Sequence, residues 1–312
     1  MQSRKSVQQK KDLSGASKIL PFGFFLFLCG IYILTMSGHI HTIDSFQVYS
    51  VTKSLAEKGS LEIPPCYMHV EGIDGKYYSK FGIGQSILAL PLYKCAQLLY
   101  PLVPPNVIHQ MDAAQKKVVT RLDNREAIPQ YLRSYEHAPP GPFYSFIVLT
   151  FNSVITAWGM TLLYIILTKL GYGTKESLMT AGITALATFV WPLSRDFFQH
   201  PLILLLLLRA IDLSVEAKNH QKFSVMLQIG LIVALAVLIR IFTLTLIPVF
   251  ALFIVWRLYV SHADMKKGML SMACYMGPVI ISIIVILILN YVRFGGMFKS
   301  GYSLISKSQL SK

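Results

Sequence analysis

The sequence predicts an all-α polytopic membrane protein of about seven transmembrane helices, with a large extracytoplasmic loop after the first of them. Three observations predict it. Of 312 residues, 54% are hydrophobic and only 14% charged, with a mean hydropathy of +0.52, a balance that excludes a disordered chain and disfavours a soluble domain. Runs such as Pro201 to Leu208 have no polar face, so they need lipid or a large helical interior. Finally, the net charge of +14 sorts by membrane side, and is no nucleic-acid footprint.

The spans follow from runs long enough to cross about 30 Å of hydrocarbon: 19–37, 143–168, 177–194, 198–215, 223–240, 241–260 and 269–292. The first is preceded by a basic tail, 1–18, of which 1–17 is expected to be disordered; the span lacks a small-residue cleavage site and reads as a retained helix. An eighth apolar stretch, 82–103, is interrupted by Gln85, Lys94 and Gln97 and closed by Pro101, Pro104 and Pro105, and it reads as an interfacial helix.

Charges test that count. With the N-terminus cytoplasmic, the inside segments carry Arg4, Lys5, Lys10, Lys11 and Lys18, then Lys169 and Lys175, Lys218 and Lys222, and Arg257, Lys266 and Lys267. They hold few acids: Asp12, Glu176, Glu216 and Asp264. The loop 39–142 has ten Lys/Arg against nine Asp/Glu and is almost neutral. Counting 82–103 as a span would put the basic Lys169–Lys175 turn outside, so seven is retained.

Four cysteines, Cys29, Cys66, Cys95 and Cys274, show no metal-ligand spacing. Cys66 and Cys95 fall in the same loop and would pair only if it faces an oxidising compartment and their separation permits. A divalent metal is possible but not implied, and no bound cofactor is demanded.

Within the large loop, Thr42 caps a predicted helix in which Val48, Val51 and Leu55 share a face and Gly59 marks the end. Asp44 then sits in the first turn, where the helix dipole favours the ionised carboxylate a general base or metal ligand must have, or where it simply stabilises the helix start. Asp74-Gly75 separates two β-compatible arms and predicts a hairpin. That hairpin delivers Lys80 to the mouth of 82–103, at headgroup level, where an ammonium meets a phosphate or merely snorkels. Residues 104–142 are expected to form one short helix or a lid.

At the same membrane face, Arg240 ends one apolar helix and opens the next, and an isolated guanidinium there points to an anion. The turn Trp191 to Pro201 adds Arg195, Asp196 and His200, and Arg293 follows the last span.

In this order the motifs resemble the GT-C membrane glycosyltransferases. Carrying the likeness are Asp44 opening a short helix that ends at Gly59, Gly75-Lys-Tyr-Tyr-Ser-Lys80 leading into an amphipathic helix, the Thr188 to Ser194 turn, Leu238-Ile-Arg240, Asn290-Tyr-Val-Arg-Phe-Gly and Gly301-Tyr302. The nearest group is the protein O-mannosyltransferase and aminoarabinose transferase type, and the likeness covers about 19–302 as a GT-C-like module whose loop carries two juxtamembrane helices. It implies a bacterial inner-membrane enzyme that takes a sugar from a polyprenyl-phosphate carrier and passes it, with inversion, to a hydroxyl of a glycan, lipid or protein. By resemblance Asp44 is the catalytic base, while Lys80, which follows the paired aromatics ending in Tyr78, and Arg240 contact the carrier phosphate. Arg293 joins them as a further cation on that face.

Two departures stand out. Ser45 replaces a frequent Glu, and His200 replaces an acid often found before Pro, with Asp196 close by in sequence. The chain reaches only Lys312, with 303–312 a C-terminal tail after the module, where family members generally continue. Two alternatives follow: a non-catalytic or truncated GT-C-like subunit that works with a partner chain, and a transporter that binds lipid phosphate.

Overall fold

The computed structural model describes the backbone of residues 2–40, 42–66, 68–123, 141–216, 223–260 and 264–310, and side chains within 19–114 and 141–305 of these. Lys218, Lys222, the side chains of the N-terminal tail and the second half of the 104–142 segment lie outside the described residues.

Helix α1 (Gln2–Thr35) leads to α2 (Ile43–Lys58), the hairpin β1 (Val70–Glu71) and β2 (Tyr77–Tyr78), α3 (Gly84–Leu99) with a 3-10 turn at Tyr100–Leu102, and α4 (Pro105–Asp123). Then come α5 (Gly141–Lys169), α6 (Thr174–Leu186), the short α7 (Val190–Ser194), α8 (His200–Glu216) and α9 (Phe223–Ile239). A 3-10 turn at Ile241–Thr245 opens α10 (Leu246–Val260), followed by α11 (Met265–Phe294) and α12 (Gly301–Leu310). The described regular structure is thus helical, apart from one antiparallel hairpin pairing Val70 with Tyr78 and Glu71 with Tyr77.

Three helical stretches are long and apolar enough to cross a membrane: Gly141–Lys169, Ile241–Val260 and Met265–Phe294. At 1.5 Å per residue the 29 residues of α5 reach about 43 Å, well beyond the hydrocarbon thickness. Ile19–Thr35 and Phe223–Ile239 are apolar but shorter. The expected 177–194 span is interrupted instead: α6 ends at Leu186, and α7 starts again at Val190. Pro192 lacks the N–H needed to continue a helix and sits in the first turn of α7, where none is required.

These helices differ in what surrounds them. α5 is central, with 61% of its most apolar window buried, whereas only 17% is buried in α10 and in α11. On those two, Leu252, Trp256, Ile281 and Ile288 stand exposed, an apolar surface that water would not support. α9 and α11 pack closely because Gly230 lies on the backbone of α11: a Cβ there would come within 2.3 Å of the Tyr275 carbonyl oxygen. Ala234, one turn further along α9, is also buried.

The connections bring alternate helix ends to the same pole. Tyr32 near the end of α1 donates to the Ala185 carbonyl near the end of α6 at 3.0 Å. Trp191 Nε1 donates to Thr35 Oγ1 at 3.0 Å. At the other pole, Lys169 at the end of α5 reaches Asp212 at 2.5 Å and Glu216 at 2.6 Å on α8, and Arg209 also bonds Asp212. Loop elements α2, the hairpin and α3 therefore gather at the pole where α8 starts and where α9 and α11 end.

Cys66 and Cys95 do not pair. All four cysteines are free, Cys66 buried in the loop core and Cys95 exposed on α3. Burial pushes the Cys66 thiol up to about 12, a protonated and unreactive state.

Candidate functional site

Helix α2 starts where its sequence says it should. Thr42 is extended, and its Oγ1 accepts from the Ser45 N–H at 3.3 Å while donating to Asp196 Oδ2 at 2.9 Å. Gly59 closes the helix in the left-handed conformation, φ 64°, which a residue with a Cβ adopts only at a cost. Asp44 is thereby held in the first turn, with its side chain 42% exposed.

The hairpin then turns at Asp74-Gly75, with Gly75 at φ 73°. Tyr78 donates its hydroxyl to Asp74 Oδ2 at 2.7 Å, which holds the Asp74 carboxyl below its ordinary value. Just past the hairpin, Ser79 Oγ and the Lys80 N–H both donate to Gln47 Oε1, at 3.1 and 3.2 Å. Gln47 in turn donates to the Met68 carbonyl at 3.0 Å. This buried amide ties strand end to helix and fixes the backbone of Lys80. The Lys80 side chain, only 8% exposed, then reaches Asp44 Oδ1 at 3.2 Å.

Arg240 enters from another direction. Its backbone is extended, φ −150° and ψ 120°, so it stands between α9 and the 3-10 turn rather than inside a helix. Its Nη1 donates to His200 Nε2 at 2.7 Å. Asp44, His200 and Arg240 line one narrow crevice walled by Val48, Phe81, Phe197 and Phe198.

Two glycines explain how the Lys80 segment comes so close to the Arg240 junction. A Cβ on Gly82 would lie 2.1 Å from the Leu238 carbonyl oxygen, and one on Gly84 would lie 2.7 Å from Ile239 Cγ1. Gln199 bridges the same two segments, donating to the Ile239 carbonyl at 2.7 Å and the Gly82 carbonyl at 3.4 Å. A third close approach seats the start of α12 against the lysine: a Cβ on Gly301 would lie 2.5 Å from Lys80 Cα.

The structure thus brings Asp44, Lys80, His200 and Arg240 together. Asp196 is buried beside this group, 3% exposed, and its carboxylate oxygens accept from Thr42 Oγ1 at 2.9 Å and from the Phe197 N–H at 2.7 Å. Tyr78 and Arg293 sit behind the lysine. The Tyr78 ring meets Phe294 edge-on, and the Arg293 carbonyl accepts from the Ile73 N–H at 3.0 Å. The Arg293 guanidinium is nearly buried and bonds the Leu289 carbonyl at 3.1 Å; with Lys80 it lines a second crevice floored by Val237, Leu238, Ile286 and Leu289.

Tyr302 was not singled out as a site residue by sequence. Its ring packs edge-on against Phe81 and Phe242, its buried hydroxyl has no hydrogen-bond partner among the described residues, and burial pushes that hydroxyl up to about 12. It lines the Lys80–Arg293 crevice as a neutral donor. Gln47 and Gln199 stand in mixed polar segments, where the sequence marks neither as a site residue.

Among the described residues no group of three or more His, Cys, Asp or Glu is placed to hold a metal ion. Chemically, the site offers a half-exposed carboxylate beside a shielded ammonium, with a guanidinium and an imidazole along the same crevice. Such a set can accept a proton at Asp44 and hold an anion next to it. Comparison with protein-family models finds none that matches the chain, and comparison with curated proteins finds no match either.

Proposed function

We propose that the chain is an integral-membrane glycosyltransferase of the GT-C type, moving a sugar from a polyprenyl-phosphate carrier to an acceptor hydroxyl. Its spans are α1, α5, α6 with α7, α8, α9, α10 and α11, with a cytoplasmic N-terminus and the Asp44 pole facing out. The observation that carries this reading is the 3.2 Å pair of Lys80 with Asp44, the carboxylate of which lines a crevice with Arg240 and His200.

In the proposed reaction the acceptor hydroxyl gives its proton to an Asp44 carboxylate oxygen as its own oxygen bonds the anomeric carbon from the face opposite the phosphate. The bond from that carbon to the phosphate oxygen breaks, its electron pair leaves on the phosphate, and the configuration inverts. Lys80 and Arg240 neutralise the departing phosphate, so it needs little proton donation.

The test is sugar transfer from a radiolabelled polyprenyl-phosphate sugar in membranes with and without the protein, and with Asp44→Asn. Transfer that depends on the wild-type chain and vanishes in the variant is the expected result. Carrier binding with no product from wild type would favour the non-catalytic subunit; wild-type transfer by Asp44→Asn would remove Asp44 as base.

A further inference from the structure

A cavity of about 510 Å³ lies on the other face of α2 from the transfer crevice. Asp44 and Val48 line the crevice, whereas Phe46, Ser50, Lys53 and Glu57 line the cavity, and a helix puts these two sets on opposite sides. The floor of the loop and the hairpin complete it, through Ile63, Pro64 and Tyr77.

We infer that this cavity binds a neutral saccharide. The volume falls inside the roughly 300–1,000 Å³ range of small-molecule sites and has room for a short oligosaccharide. Its walls mix aromatic rings, Phe46, Tyr49 and Tyr77, with serine hydroxyls. Sugars present the matching surface, with C–H faces that pack on rings and hydroxyls that need both donors and acceptors.

Ser54 is the second, independent observation. It is 7% exposed, yet its Oγ has no hydrogen-bond partner among the described residues, although it lines the cavity. A buried hydroxyl left unpaired is costly, and a polyhydroxyl ligand supplies the partner.

Charge argues against an anionic occupant. Glu62 is clamped between Lys76 at 2.9 Å and Lys58 at 3.5 Å. Glu57 accepts from the Tyr93 hydroxyl at 2.5 Å, and Lys53 also has an interaction partner. Two of the rim cations, Lys58 and Lys76, are therefore already paired with an acid of the same rim. This inference goes beyond the transferase reading and does not depend on it: the pocket would hold a saccharide whether or not Asp44 performs transfer.

The experiment uses the full chain in lipid nanodiscs on an array of neutral and acidic oligosaccharides, followed by calorimetric titration of the strongest neutral ligand. Binding is expected to weaken by about tenfold in Ser54→Leu, which fills the cavity, and in Tyr77→Ala, and to survive in Tyr77→Phe and Asp44→Asn. Retention of acidic glycans alone, retention of none, or undiminished wild-type affinity in both Ser54→Leu and Tyr77→Ala would each overturn the assignment. Because Asp44→Asn is read by binding here and by transfer above, the two proposals fail separately.

Discussion

The carboxylate of Asp44 lies 3.2 Å from the ammonium of Lys80, and the acid is 42% exposed while the base is 8% exposed. The lysine is thus the fixed partner and the aspartate the accessible one. Removing each should therefore have a different signature. Asp44→Asn is expected to lower transfer by about 10²–10⁴-fold with carrier affinity retained. Lys80→Ala is expected to raise the carrier dissociation constant, and equal carrier binding by wild type and Lys80→Ala would reject its phosphate role.

Gly82 tests whether backbone proximity, and not the cations alone, builds the site. A methyl group there would sit 2.1 Å from the Leu238 carbonyl oxygen, so the Lys80 segment or the end of α9 must move. Gly82→Ala is expected to destabilise by about 1–3 kcal/mol and to reduce carrier binding with Lys80 and Arg240 both present. Thermal unfolding in detergent, paired with a carrier-binding assay, checks it; an unchanged midpoint would mean that the two segments are not in contact.

Asp196 is expected to be a structural acid. Its oxygens accept from Thr42 Oγ1 and from its neighbour's N–H, so Asp196→Asn, which keeps an acceptor oxygen, should retain transfer per folded molecule. Asp196→Ala should lose about 1–3 kcal/mol of stability by stranding the Thr42 hydroxyl and the Phe197 N–H. A loss of transfer in Asp196→Asn with unchanged stability would return Asp196 to the chemistry.

The contrast between Asp44 and Asp196 shows what a sequence of this kind discloses. Thr42, Gly59 and Asp74-Gly75 were legible because capping and turn formation are local: each depends on residues a few positions away. Long apolar runs were legible for the same reason, although the interruption at 187–189, where all three residues stand exposed, was not. What links Asp196 to Thr42 is 154 residues of chain, and what joins Lys80 to Arg240 is a contact between Gly82 and Leu238. Such pairings belong to tertiary structure. Gly82-Ile-Gly84 did carry a signal, since paired glycines at an element start mark a close backbone approach, but not the identity of the partner.

The hairpin should loosen in acid. Asp74 titrates below its ordinary value because the Tyr78 hydroxyl, first, and the Lys76 N–H donate to it. For a carboxyl whose folded value is depressed, the stabilisation is fully present above the unfolded value of about 3.9 and is lost as pH falls through the folded one. Hydrogen-exchange protection factors at Val70 and Tyr78, corrected for the intrinsic pH dependence of exchange, should therefore fall below about pH 4, and Asp74→Asn should remove that dependence. An acid-insensitive hairpin in wild type would mean that the Tyr78–Asp74 bond contributes nothing.

Sidedness is the last expectation, and one native cysteine offers a handle on it. Cys95 is exposed on α3, with the elements that gather at the Asp44 pole, whereas Tyr172, 60% exposed, follows Lys169 at the opposite end of α5. If α5 crosses the bilayer, as its 29 residues and apolar composition allow, these two positions face different compartments. A membrane-impermeant maleimide applied to intact cells is expected to label Cys95, and to label a Tyr172→Cys, Cys95→Ser variant only after permeabilisation. The reverse pattern would turn the proposed topology over and place the Asp44 pole in the cytoplasm. Labelling of both positions without permeabilisation would show that α5 does not span the membrane at all.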